Sequence, residues 1–402
     1  MATLFLLIIY LAFISLGLPD SLLGVTWPLM RLDFNASLGA AGFISMIISG
    51  GTIVSSLLSG TLLHKFGTGK MTFVSVLMTA GALLGFSLAP SFIWLLFLAI
   101  PLGLGAGTVD AGLNAYVAAH YKSHHMSWLH CFWGVGAMTG PIIMAQNIGH
   151  QSSWRNGYLI VSMVQFALVI LLFFALPLWD KVSKLTKSTA PAETEPFYNG
   201  TLPKKADHPL KIKGLKIALI SFLFYCGAEA TMGLWGSSFL INVKGLDVVT
   251  AAKWVSMFYA GITVGRLITG FITMKVSNKV LIRSGEIVLL IGALLLLLPL
   301  PNTFSLVGFI LVGLGCAPIF PCMLHETPER FGKENSQMVM GFQMAVAYTG
   351  GTFLPPIFGW IASSTTIAIF PFFILVYVIA MLLSSEKVNL NMKNRHKEKA
   401  VY

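Results

Sequence analysis

Three acids and one arginine lie in stretches that are otherwise apolar. Asp20 follows Gly17-Leu18-Pro19, Asp110 ends Gly105-Ala106-Gly107-Thr108-Val109-Asp110, Glu229 follows Gly227-Ala228, and Arg266 lies in Gly265-Arg266-Leu267-Ile268. An ionised group at membrane depth costs at least about 2.5–3.5 kcal/mol on insertion scales, so such residues face water-filled cavities or meet partners. A carboxyl in that setting can bind a solute or take up and release a proton. Asp110, Asp20 and Glu229 are therefore the candidate proton-coupling residues.

The helical neighbours of these acids extend the chemistry. Asp20 shares a face with Gly24 and Trp27. The competing reading is an acid that caps backbone donors freed beside Pro19. Asp110 has Asn114 one turn on, with Gly103 and Gly107 on the same face. A carboxylate and a carboxamide on a glycine-smoothed face suit a hydroxyl-rich ligand, and equally suit an interhelical hydrogen bond worth about 1 kcal/mol. Glu229 shares a face with Tyr225, Gly233 and Gly236, and reads either as a cavity acid or as the partner of a base such as Arg266. Arg266 itself reads as a structural or snorkelling charge. Trp133, Gln146, Trp235, Gln343 and Tyr348 complete the candidate solute-binding set with Asp20, Trp27, Asn114 and Tyr225. Sugars present C–H faces to aromatic rings and hydroxyls to amides and acids. Glu286, near a helix end, receives no role, and His120, His124 and His125 read as solvated loop residues.

These residues need long apolar helices to hold them. Of 402 residues, 56% are hydrophobic and 10% charged, against roughly 25% charged in a soluble domain. Runs near the roughly 20 apolar residues that cross a bilayer recur along the chain. The sequence predicts an all-α integral membrane protein of twelve transmembrane helices in two six-helix bundles. The expected spans are 3–31, 39–63, 71–90, 93–119, 127–148 and 155–179, then 215–242, 250–275, 279–299, 303–325, 336–361 and 365–385. The first is read as an uncleaved helix, since no basic residue precedes it and no small-residue cleavage site follows. The expected domains are residues 1–180, a polar linker over 181–214 rich in Lys and Pro, residues 215–386, and a basic tail over 387–402.

The formal charge of +11 is distributed asymmetrically. With the N-terminus inside, 21 of the 26 Lys and Arg fall in inner loops and the tail, and Arg31, Arg155, Lys244 and Lys253 fall outside. This positive-inside pattern predicts an inner cell membrane protein with both termini cytoplasmic, and it excludes nucleic acid as the reason for the charge. The expected partners are the bilayer and a small solute, with the chain acting as a monomer. Cys131, Cys226, Cys316 and Cys322 lie in apolar segments and form no disulfide pattern.

The two halves resemble each other at an offset of 211, which matches Ser45-Met46 with Ser256-Met257, Gly50 with Gly261 and Thr52 with Thr263. Gly-Leu-Gly recurs at 103–105 and 313–315. Parallel repeats of this kind put a solute site at the membrane midplane, between the halves. Walker loop, metal-ligand spacing and nucleophile elbow are all missing, so the chain is expected to be neither an ATPase nor an enzyme. No cofactor is expected beyond a coupling proton or sodium ion.

The loop Gly60-Thr61-Leu62-Leu63-His64-Lys65-Phe66-Gly67-Thr68-Gly69-Lys70 resembles the gating motif of the major facilitator superfamily. Gly60, Gly67 and Lys70 fit, Lys65 replaces an Arg, and His64 stands where the motif has Asp. Within the superfamily, Asp20 and the stretch Val109-Asp110-Ala111-Gly112-Leu113-Asn114 resemble the first- and fourth-helix acids of the fucose permease family of sugar:proton symporters, with Asp110 where that family has Glu. The resemblance implies that Asp20 contacts sugar and Asp110 carries the proton, in a carrier that works by alternating access. A competing signal is Gly136-Ala137-Met138-Thr139-Gly140-Pro141, which resembles part of the antiporter motif. It implies a proton-driven exporter of drugs or amphipathic metabolites, or else close helix packing.

Overall fold

The structure is a computed structural model that describes residues 2–120, 123–149, 153–187, 212, 214–273, 275–332 and 336–401. Helices form nearly all of it. They are α1 (Ala2–Asp20), α2 (Leu22–Asp33), α3 (Ala40–Phe66), α4 (Thr68–Leu88), α5 (Phe92–His120), α6 (Ser123–Gly149) and α7 (Trp154–Lys187). After these come α8 (Leu215–Asn242), α9 (Val248–Ile272), α10 (Asn278–Leu297), α11 (Asn302–His325), α12 (Thr327–Phe331), α13 (Ser336–Ser364) and α14 (Phe370–Val401).

Among the described residues, ten helical stretches are long and apolar enough to cross a membrane, with α1 and α2 counting as one. The remaining two long helices, α6 and α13, have 27 and 29 residues. They carry Gly, Ser, Thr, Gln and Pro where the others carry aliphatic runs. Together these make the twelve long elements expected from the sequence.

Three boundaries differ from that expectation. The first span is two helices broken at Ser21. Pro19 has no N–H for the Ser15 carbonyl, and Gln165 of α7 supplies the missing donor, its Nε2 lying 2.7 Å from that oxygen. Gln165 is fully buried, and its own oxygen accepts from Thr79 across 2.6 Å. The sixth span runs on as α7 to Lys187, into the range read as linker, because its lysines continue a helix without a breaker until Pro191. The rest of that linker, 188–211 and 213, lies outside the described residues. The stretch read as a basic tail continues α14 to Val401, since no Gly or Pro follows Pro371 to stop the helix. The sequence reading also missed α12.

The chain forms two compact units, Met1–Thr201 with Gly245–Ser256, and Leu202–Lys244 with Met257–Tyr402. The first is centred on a cluster that includes Phe5, Phe13, Leu113 and Trp179, and the second has a cluster around Leu219, Phe331, Val339 and Val388. Close contacts recur in both. A Cβ on Gly103 of α5 would collide with the Ile48 carbonyl of α3, and one on Gly313 of α11 with the Phe258 carbonyl of α9. Gly51 meets the backbone of Gly103 and Leu104, as Gly261 meets Gly313 and Leu314. Gly105 abuts Ser75, as Gly315 abuts Gly285. All these pairs are separated by 210 positions, so the repeat register is one residue off the sequence match at 211. Gly50, matched to Gly261 by sequence, has nothing within 4 Å of a built Cβ. Contact, not identity, fixes the register, because small residues are common throughout apolar helices.

Candidate functional site

In the first unit, the site is built on the crossing of α1 and α6. Gly17 lies against the Trp133 carbonyl and Gly136 against the Ile14 carbonyl, so the two backbones touch. Gly140 approaches Ser21 and the Leu18 carbonyl. The glycines behind the antiporter resemblance therefore serve helix packing here. This approach brings Trp133 to the end of α1, where its Nε1 donates to Asp20 Oδ2 across 2.8 Å. Asp20 is exposed and Trp133 half-buried, so an oriented carboxylate and an indole face share one surface. Nearer the start of the same helices, Tyr10 hydrogen-bonds His125 Nδ1 at 2.8 Å and stacks on Phe132 at 4.6 Å. His125 is thus a helix residue with a partner, not the solvated loop histidine read from sequence.

On α5, Asn114 Nδ2 donates to Asp110 Oδ1 across 2.8 Å, and both side chains are half-buried. The spacing of four puts the two on one face but does not give their bond to each other. Among the described residues Asn114 Oδ1 is buried without a hydrogen-bond partner, an acceptor open to a ligand hydroxyl or water. Gln146 is exposed near the end of α6.

In the second unit, Glu229 of α8 lies 3.8 Å from Arg266 of α9, with side chains 18% and 16% exposed. Tyr225 and Cys316 lie close enough to feel both charges. Of the two readings of Glu229, the partner of Arg266 is the one the geometry displays. α8 and α13 also touch through Gly350 and the Leu223 carbonyl, as α6 and α1 do through Gly136 and Ile14. Ile14 and Leu223 are 209 positions apart, and so are Asp20 and Glu229.

Four of the proposed solute contacts are buried. Trp27 is fully buried and gives its indole N–H to the Leu38 carbonyl at 2.8 Å. Trp235 does the same with the Pro355 carbonyl at 2.8 Å. An indole has one donor, so neither has one for a solute. Gln343 is buried and accepts from Thr327 at 2.8 Å. Tyr225 is 1% exposed, with Phe320 against its ring at 5.6 Å. Tyr348 remains half-buried on α13.

The loop with the gating resemblance caps α3. Gly67 adopts φ +81°, which a side chain would strain. Gly69 packs against the Trp179 ring. Lys65 lies over the Phe66 ring at 5.3 Å, Lys70 is exposed, and Gly60 is half-buried. Sequence reasoning missed the buried polar network of Glu326, Arg330, Thr327, Gln343 and Asn389. Its signal was available: Glu326 and Arg330 are spaced four apart around Pro328.

A family model described as Major Facilitator Superfamily matches residues 9–325 and 217–399. The glucose/mannose transporter GlcP of Bacillus subtilis (strain 168) is 25% identical over 365 residues, covering 89% of this chain and 88% of that protein. Among solved structures, a bacterial homologue of the human lysosomal transporter Spinster, inward-facing and occupied, matches with TM-score 0.67 at 13% identity, over 97% of this chain and 96% of its own. The E. coli fucose:proton symporter FucP matches with TM-score 0.62 at 13% identity, over 95% and 98%. At these identities the structural likeness shows the fold.

Proposed function

Because this chain belongs to the major facilitator superfamily, we propose that it takes up a sugar or similar polyhydroxylated solute together with protons. It is a multi-pass membrane transporter, and in this reading it works by alternating access, exposing the bound solute to one side at a time. The observation that carries the sugar reading is the Trp133–Asp20 pair: an aromatic face beside a carboxylate held in place by an indole N–H. Asp110 with Asn114 supplies an acid–amide pair in the same unit. The glucose/mannose transport activity of a relative that spans 89% of the chain supports the same solute class.

Asp20 is assigned to solute contact and Asp110 to the proton, with Asn114, Gln146 and Tyr348 as further contacts. Glu229 is engaged by Arg266 and belongs to the balance of charge within its unit. The loop of Gly60, Lys65, Gly67 and Lys70 is assigned to gating. The lysine and arginine asymmetry supports an inner membrane with both termini cytoplasmic.

A thermal-shift screen of the purified protein tests the solute class, since a ligand that binds the folded state raises its apparent stability. A shift confined to monosaccharides is the expected result. Shifts with apolar or cationic compounds alone would overturn the sugar reading.

A further inference from the structure

Glu286 of α10 is fully buried. Its Oε2 lies 2.8 Å from the Ser385 hydroxyl of α14, and its Oε1 has no hydrogen-bond partner among the described residues. The bases whose charges reach it are held elsewhere. Arg283, one turn earlier on α10, grips Glu386 through Nε and Nη2, and Arg330 holds Glu326 and Asn389. Among the described residues, no ion pair includes Glu286. The charged side chains that face it are Glu386 from α14, Arg330 from α12 and Arg283 from its own helix. α11 meets the same turn of α10 through Gly315, Pro318 and Ile319. A buried carboxylate without a counter-charge is strongly disfavoured.

The hydroxyl of Ser385 points the same way. It has one proton and two acceptors in reach, Glu286 Oε2 at 2.8 Å and the Leu382 carbonyl at 3.1 Å. Helix serines commonly donate back to such a carbonyl. Ser385 can donate to the carboxylate or to Leu382 but not to both, so a proton on Glu286 is what lets both contacts be hydrogen bonds at once. A neutral Glu286 completes a chain in which it donates to Ser385 and Ser385 donates to Leu382.

Ser385 also borders a cavity of about 10 Å³ whose wall includes Ser221, Arg330 and Gln343. That is room for one water. Ser221 is buried and its hydroxyl has no partner among the described residues, so such a water would satisfy it.

We propose that Glu286 is a proton-binding site of the second unit, exchanging its proton through Ser385 with a water in this cavity. On release the proton passes to that water. This site is additional to Asp20 and Asp110 and does not depend on the solute carried.

Infrared spectra of the purified full chain at neutral pH test it through the C=O stretch of protonated carboxyls. Glu286→Gln should lose one such band relative to the parent. Ser385→Ala should keep the band but shift it, because the hydrogen-bond partner is gone. An unchanged carboxyl band in Glu286→Gln overturns the proposal. If that variant fails to fold, Ser385→Ala decides: a shifted band supports the site, and an unshifted one overturns it.

Discussion

Asp20 and Glu229 each lie six residues beyond a carbonyl that touches a glycine of a later helix, yet each has a different partner. The helix contacts at Ile14 and Leu223 set the same register for both acids. Asp20 accepts from the neutral indole of Trp133, whereas Glu229 faces the guanidinium of Arg266. One unit gives its acid an indole N–H, and the other gives its acid a guanidinium.

Trp133→Phe should keep the ring and remove the N–H that orients Asp20. A hydrogen bond to a charged group contributes about 1.5–3 kcal/mol, so solute affinity should fall at least about tenfold. Calorimetric titration of the two proteins with the sugar that shifts the melting temperature measures this. Equal affinities would separate Asp20 from the solute.

Arg266→Leu should destabilise the protein by roughly 3 kcal/mol, because it leaves Glu229 in a partly buried site without its counter-charge. The double variant with Glu229→Gln should recover most of that loss. Thermal unfolding in detergent gives the comparison, and additive losses would show that the two residues do not act as a pair.

Asp110→Asn keeps a partner for Asn114 and removes the titratable proton. Counterflow exchange in proteoliposomes should persist while uphill accumulation is lost. Uphill accumulation by this variant would take the coupling role away from Asp110.

Gly103→Ala and Gly313→Ala should each destabilise by about 1–3 kcal/mol, since their Cβ atoms would meet the Ile48 and Phe258 carbonyls. Gly50→Ala, with open space around it, should be neutral or stabilising. Melting temperatures of the three variants decide between the register of 210 and the sequence match of 211. Equal effects at Gly50 and Gly103 would undo the structural register.

Asp247, in the loop before α9, accepts from the Thr250 N–H at 2.9 Å. Hydrogen bonds from the Thr250 side chain and backbone hold its carboxyl below the ordinary value of 3.8. A depressed folded-state pKa contributes stability above the unfolded value and loses it as pH falls through the folded one. The stability difference between the parent and Asp247→Asn should therefore stay constant between about pH 5 and 8. A slope in that window would assign the effect to another group.

Much of this architecture was legible beforehand, because spanning a bilayer demands length and apolarity, and both are properties of consecutive residues. Most of the spans, the presence of a repeat and the shared face of Asp110 and Asn114 follow from local spacing. The Arg266 reading as a structural charge follows from burial cost alone. Other features depend on what lies across a helix interface. Trp27 and Trp235 looked like solute contacts until carbonyls of Leu38 and Pro355 proved to hold their N–H groups. Trp133 carries the same type of side chain, and only the close crossing at Gly17 and Gly136 directs its N–H to Asp20. Glu286 looked like a cheap charge at a helix end, but the packing of α14 buries it fully beside Ser385. The sequence by itself determined which residues lie at membrane depth, since that is a matter of transfer free energy along the chain. Tertiary structure decided which polar groups find partners, since one donor serves one acceptor and the neighbours that offer it are far away in sequence.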